Sequence, residues 1–295
     1  MPDPYQPKRP SRSAFVRARG LDHHVRQWGD PQAPALVMLH GWMDVSASFQ
    51  FVVDALSRER FVLAPDWRGF GLTQRPAADS YWFPDYLGDL DALLDALLPG
   101  RPVDLVAHSM GGNVAMLYAG VRPARVRRLV NLEGFGMAPA DPSQAAARMR
   151  QWLDELREPV ALRDYESTEA VARRLVQTNP LLALDKALWL AEHWSAPMSG
   201  GRFALLGDPV HKRVNPYLYR VDEVVAVWRE ILAPVLLVDA RASDRWHRFV
   251  YTDEYRERLR AVRNLERVTV EQAGHMLHHD QPAAVAVLIE EFIDG

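Results

Sequence analysis

The 295-residue chain contains no cysteine. That absence excludes a disulfide framework, a thiolate nucleophile and any cysteine-ligated metal. Lysine is nearly missing as well. Lys8, Lys186 and Lys212 are the only lysines, and arginine carries most of the positive charge. No long basic run exists and the formal net charge is −3, so nucleic acid is not an expected partner. No stretch reaches the roughly 18 apolar residues that suggest a membrane span. The proline-rich start, through Arg12, has no apolar core of the signal-peptide type. It reads as a loose arm, and a cytoplasmic protein is the default expectation. What is present suits one globular domain with a large core: 48% hydrophobic and 25% charged residues.

The chemistry-bearing stretch is Val106-Ala107-His108-Ser109-Met110-Gly111-Gly112. It follows the apolar run Val103-Asp104-Leu105-Val106, a buried strand by pattern, and precedes a helical pattern from Asn113. A serine between strand and helix, with small residues two before and two after, is the nucleophile-elbow pattern. Here those residues are Ala107 and Gly111, alanine standing where the pattern usually has glycine. Three further segments matter. Val37-Met38-Leu39-His40-Gly41-Trp42 is a strand ending in His-Gly. Phe61 to Gly71 is a strand entering a glycine-rich turn. Val268 to His275 is a late strand followed by Gly-His.

In this order and spacing the four segments resemble the α/β-hydrolase superfamily, over nearly the whole chain from about Ser13. The resemblance implies an α/β-hydrolase fold: a mostly parallel eight-stranded sheet flanked by helices. Strands are expected at residues 14–19, 22–28, 35–39, 61–64, 103–106 running into the elbow, 126–132 and 234–238, with helices at 46–56 and 85–98. Sequence-adjacent elements of such a sheet are joined by short connections. About a hundred residues separate the sixth strand from the next, so residues 135–232 read as an insertion. Its pattern is helical, with Ser143 and Ser167 as N-caps. The resemblance makes it a cap over the site, on a core of residues 1–134 and 233–295.

Ser109 is the expected nucleophile, since the elbow holds its hydroxyl clear of the sheet where a base can activate it. Among ten histidines, His275 is the expected base. It alone follows a late strand and a glycine, with a helix from Pro282 behind it. The resemblance makes His40 structural and turns His108 away from substrate. His278 and His279 invite a metal reading. Adjacent histidines point in different directions and no third ligand is evident, so a solvated loop and no metal are expected. The oxyanion hole is expected from the backbone N–H groups of Trp42 and Met110.

The base needs a carboxylate on its second nitrogen. Two positions compete. Asp244 follows the seventh strand, the common placement, but lacks the usual preceding glycine and sits about one residue late; Asp239 is a weaker third choice. Glu133 ends the sixth strand, as the acid does in haloalkane dehalogenases, coelenterazine luciferases and zearalenone lactonases. Its placement is favoured, with Asp244 as the alternative.

A serine nucleophile implies an acyl-enzyme, and so ester or lactone hydrolysis of an apolar small molecule without a cofactor. The His40-Gly41-Trp42-Met43-Asp44 segment also resembles serine-hydrolase-like proteins. Alternatives are a carbon–carbon bond hydrolase of the meta-cleavage-product type, a cofactor-free perhydrolase, and a non-catalytic ligand-binding module. Trp42 and the aromatic residues of the insertion, Trp152, Trp189 and Trp194 foremost, are expected to line the pocket. The substrate's identity and the oligomeric state are not written in these motifs.

Overall fold

Each central strand alternates its apolar side chains between two helical layers. The computed structural model describes residues 2–242, 249–250 and 252–295. The sheet strands are β1 (Arg12–Ala18), β2 (Leu21–Trp28), β3 (Ala35–Leu39), β4 (Phe61–Pro65), β5 (Val103–His108) and β6 (Val126–Leu132). Three short strands follow, β7 (Asp164–Tyr165), β8 (Ser195–Pro197) and β9 (Phe203–Leu205), then β10 (Val235–Ala240) and β11 (Leu265–Val270). The helices are α1 (Gln50–Ala55), α2 (Phe83–Leu97), α3 (Met110–Val121), α4 (Ala145–Glu155), α5 (Thr168–Thr178), α6 (Leu184–Trp194), α7 (Val221–Trp228), α8 (Asp253–Leu259), α9 (Leu277–Asp280) and α10 (Pro282–Asp294).

Eight strands form one sheet in the order β1-β2-β4-β3-β5-β6-β10-β11. β2 pairs antiparallel with β1 and β4, and the rest of the sheet is parallel. Val37, Leu39, Leu105, Ala107 and Leu129 face one layer with α2 and α3. Leu36, Met38, Val106, Val130 and Leu132 face the other, against Val285, Ala286, Ile289 and Ile293 of α10. Sheet residues two apart share a face, and on α10 the same spacing argument gives one apolar stripe.

Several local expectations change. α2 begins at Phe83 rather than at 85, because Pro84 occupies its first turn, where a missing N–H costs nothing. The stretch expected as a helix over 46–56 opens with a 3₁₀ turn, Ser46–Phe49, before α1. The proline-rich start is not loose. Asp54 accepts hydrogen bonds from the Tyr5 hydroxyl (2.8 Å) and from the Lys8 (3.1 Å) and Arg9 (2.7 Å) backbone N–H groups. That buried carboxylate needs donors, and the arm supplies them.

Between β6 and β10 lie α4 to α7 and an antiparallel sheet, β7-β9-β8. The segment is therefore not purely helical. Ser167 caps α5, accepting from Ala170 N at 3.2 Å. Ser143 is not a cap; Asp141 fills that role for the turn before α4, accepting from Ser143 N at 2.9 Å. α5 and α6 pack on Val45, Ala47 and Phe51 in a third apolar cluster. By contrast, Trp228 of α7 lies in the main core, and a Cβ on Gly120 of α3 would collide with Val227. The end of the segment thus belongs, by packing, to the sheet's own helical layer. No described helix is long and apolar enough to cross a membrane.

Candidate active site

Strand register assembles the site. Leu39 of β3 pairs with Ala107 of β5, so the chain two residues on brings Gly41 beside Ser109. His108 of β5 pairs with Leu132 of β6, which sets Glu133 next to Ser109. The Ser109 N–H donates to Leu132 O (2.9 Å) and the Glu133 N–H to Val238 O (3.0 Å). Gly41, Ser109 and Glu133 sit just past the carboxyl ends of parallel strands, where open α/β sheets hold their ligands.

Ser109 has φ 51° and ψ −115°, a conformation that side-chain-bearing residues rarely adopt. It directly precedes α3. Tight packing fixes the turn: a Cβ on Gly111 would collide with Leu39 O, and one on Gly41 would lie 2.9 Å from His108 Nδ1. Glu133 also has positive φ, 59°. Both turns aim side chains outward from strand ends that would otherwise continue flat.

His275 joins the two. Its Nε2 lies 2.9 Å from Ser109 Oγ and its Nδ1 lies 3.1 Å from Glu133 Oε2. The Glu133 side chain is fully buried while that of His275 is 26% exposed, so the chain of contacts runs from the interior to solvent. The second Glu133 oxygen, Oε1, accepts from Ala240 N at 2.6 Å. With one oxygen held by backbone, the other is presented to His275. Asp239 is instead ion-paired with Arg267. Asp244 lies outside the described residues.

The neighbouring histidines have definite tasks. His40 donates from Nδ1 to Gly41 O (2.8 Å) and accepts at Nε2 from Trp67 N (2.9 Å), which pins the loop after β3. His108 donates from Nε2 to the His275 carbonyl at 2.8 Å. Burial, together with the nearby His278 and His275, holds the His108 imidazole well below its ordinary pKa. His278 and His279 are not on a solvated loop. They lie on α9 and are buried, because α9 packs under the sheet with Leu277. Asp44, His108 and His278 gather in one buried cluster that spacing in the sequence gave no sign of.

Neither the Trp42 nor the Met110 backbone N–H donates a hydrogen bond among the described residues. Of the aromatic residues expected at the pocket, Trp42 is exposed at 53%. Trp152 and Trp194 are half-buried. Trp189 is buried, edge-on to Phe51 with ring centroids 5.7 Å apart, in the cluster that seats α5 and α6. Sequence reasoning missed the supports. Asn131 holds the turn after β6 through Gly134, with bonds of 2.8 and 2.9 Å. Asn113 Oδ1 accepts from Gly136 N at 2.6 Å. His211 is stacked between Phe70 and Tyr81, each 3.7 Å away. These contacts join distant segments and leave no local pattern.

The family model for the α/β hydrolase fold matches residues 34–282. The chain belongs to the α/β-hydrolase family, and most of its similar relatives are named as hydrolases. It is 29% identical over 275 residues to the serine hydrolase-like protein of Danio rerio, covering 90% of this chain and 83% of that one. It is 26% identical to the 2-(acetamidomethylene)succinate hydrolase of Mesorhizobium japonicum, over 92% of this chain and 91% of the relative. Among solved structures, the thioesterase domain from the curacin biosynthetic pathway superposes with a TM-score of 0.82 at 25% identity, covering 95% of this chain and 99% of that one.

Proposed function

We propose that the protein cleaves an ester or lactone of an apolar small molecule through an acyl-enzyme on Ser109. The observation carrying this reading is the unbroken contact chain Ser109 Oγ–His275 Nε2–Glu133, at 2.9 and 3.1 Å. His275 takes the Ser109 proton as Oγ bonds to the substrate carbonyl carbon. The oxyanion forms against the N–H groups of Trp42 and Met110. His275 then gives its proton to the leaving alcohol oxygen. Water, activated by the same imidazole, attacks the acyl carbon, and Ser109 leaves with a proton. Glu133 fixes the tautomer of His275 and stabilises the imidazolium.

In this reading the segment 135–232, apart from α7 in the sheet's own helical layer, caps the site, and Trp42, Trp152 and Trp194 offer apolar surface to the acyl group. Three backbone contacts support the cap. Gly71 N donates to Leu206 O (2.8 Å), Asp208 N donates to Gly69 O (2.7 Å), and Phe70 bridges to Gly207. They tie the segment to the glycine-rich turn after β4.

A fluorophosphonate probe tests the nucleophile: it should label Ser109 and no other residue. A panel of p-nitrophenyl esters beside a vinylogous 1,5-diketone then tests the bond. Ester turnover with no diketone cleavage supports the proposal. The reverse preference makes the protein a carbon–carbon bond hydrolase, and peroxide-dependent bromination in acetate makes it a perhydrolase. Absence of a label on Ser109, with no turnover, leaves the binding-module reading.

A further inference from the structure

Behind His275 the protein buries a second polar cluster that the proposed chemistry does not use. Asp44 comes from the loop after β3, His108 from the end of β5, and His278 from α9. All three are at most 2% exposed. One ligand-capable atom from each lies within 4.8 Å of the others, and Asp44 Oδ2 is 3.8 Å from His278 Nε2.

Each residue keeps at least one ligand-capable atom without a hydrogen-bond partner among the described residues. Asp44 Oδ1 accepts from Val45 N (2.8 Å) and from the Ser48 hydroxyl, while Oδ2 has no partner among the described residues. His108 spends its Nε2 proton on the His275 carbonyl, so its Nδ1 carries the lone pair, and Nδ1 has no partner. Neither nitrogen of His278 has one. Buried polar atoms without partners are costly, and a buried carboxylate calls for a counter-charge. No arginine or lysine pairs with Asp44 among the described residues; only His278 approaches it.

We propose that Asp44 Oδ2, His108 Nδ1 and His278 Nε2 bind one divalent transition-metal ion of the zinc type. Two imidazoles and a carboxylate form a borderline donor set that suits zinc, with a fourth position left for water. Tetrahedral zinc, with ligands about 2 Å away, sets donor atoms roughly 3.3 Å apart. The Asp44–His278 separation is near that value, so side-chain adjustments complete the site. Two of the three ligands make the outer bonds that metal sites use, while His278 Nδ1 has no partner among the described residues. A ligating histidine typically donates its other N–H to a carbonyl, as His108 does, and a ligating carboxylate is itself hydrogen-bonded, as Asp44 is. The site supplies no group to the proposed hydrolytic steps, though His108 also holds the His275 carbonyl.

Metal-free full-length protein should be equilibrated with Zn²⁺ and analysed for bound metal, and with Co²⁺ for its visible absorption. One ion per chain is expected, with the intense Co²⁺ bands of a four-coordinate site. Asp44→Asn and His278→Gln should each weaken binding by tenfold or more. His193→Gln, at a histidine outside the cluster, should leave binding unchanged. Absence of stoichiometric binding by the wild type overturns the proposal. Binding that survives both substitutions also overturns it, as an adventitious surface site. If the variants fail to fold, the wild-type Co²⁺ spectrum decides: weak octahedral bands or none reject the site.

Discussion

His275 and Glu133 stand 142 positions apart in the chain and 3.1 Å apart in the fold. The glutamate's other oxygen is fixed by Ala240 N, so its reach to the imidazole is set by backbone rather than by a free rotamer. Glu133→Gln should therefore keep the packing and lose the charge that stabilises the imidazolium. We expect kcat on an ester substrate to fall on the order of a hundredfold or more, with KM little changed. Asp244→Asn should have a small effect. The opposite ordering in steady-state kinetics would move the triad acid to the loop after β10.

Ser109→Ala should abolish ester turnover and leave the fold intact. The residue's φ of 51° strains alanine as much as serine, so this substitution relieves nothing. Glycine tolerates that backbone. Ser109→Gly is expected to melt a few degrees above Ser109→Ala, a gap of about 1 kcal/mol. Thermal unfolding of the two inactive variants makes the comparison; equal melting temperatures would remove strain from the account of the elbow.

Trp42 and Trp189 should separate binding from stability. Trp42→Ala, at an exposed position, should raise KM for bulky acyl groups several-fold, with stability within roughly 0.5 kcal/mol of wild type. Trp189→Ala opens a cavity in the cluster beneath α5 and α6 and should cost about 3–5 kcal/mol. An ester chain-length series and urea melts distinguish the two. If Trp189→Ala shifts chain-length selectivity without destabilising, the residue lines the pocket after all.

His211 makes stability depend on pH. Burial, partly opposed by Asp208, lowers its pKa from 6.5 to about 4. The folded protein thus resists a proton that the unfolded chain accepts. His211's contribution is fully present above about pH 6.5 and is lost as pH falls toward about 4, roughly 2–3 kcal/mol at the low end. His211→Phe keeps a ring between Phe70 and Tyr81 but cannot titrate. Its melting temperature should fall less steeply than that of the wild type between about pH 6.5 and about pH 4.5. Parallel curves would assign the acid sensitivity to other groups.

The sequence by itself determined the strand framework and the elbow. Strand alternation is local, and a serine flanked by Ala107 and Gly111 between a strand and a helix describes its own backbone. Position in chain order also singled out His275. The second carboxylate could not be chosen that way, because Glu133, Asp239 and Asp244 all follow sheet strands. The β6–β10 register distinguishes two of them: it turns Glu133 toward His275 while Asp239 pairs with Arg267. The aromatic residues of 135–232 were equally open, since Trp189 packs inward on a partner from α1 that no nearby residue announces. Asp44, His108 and His278 became neighbours only through folding: adjacency of His278 and His279 along the chain was misleading, and their companions lie far away in sequence. Local pattern encodes dihedrals and burial over a few residues. Which side chains finally meet is fixed by strand order and register, and these exist only once the whole sheet has formed.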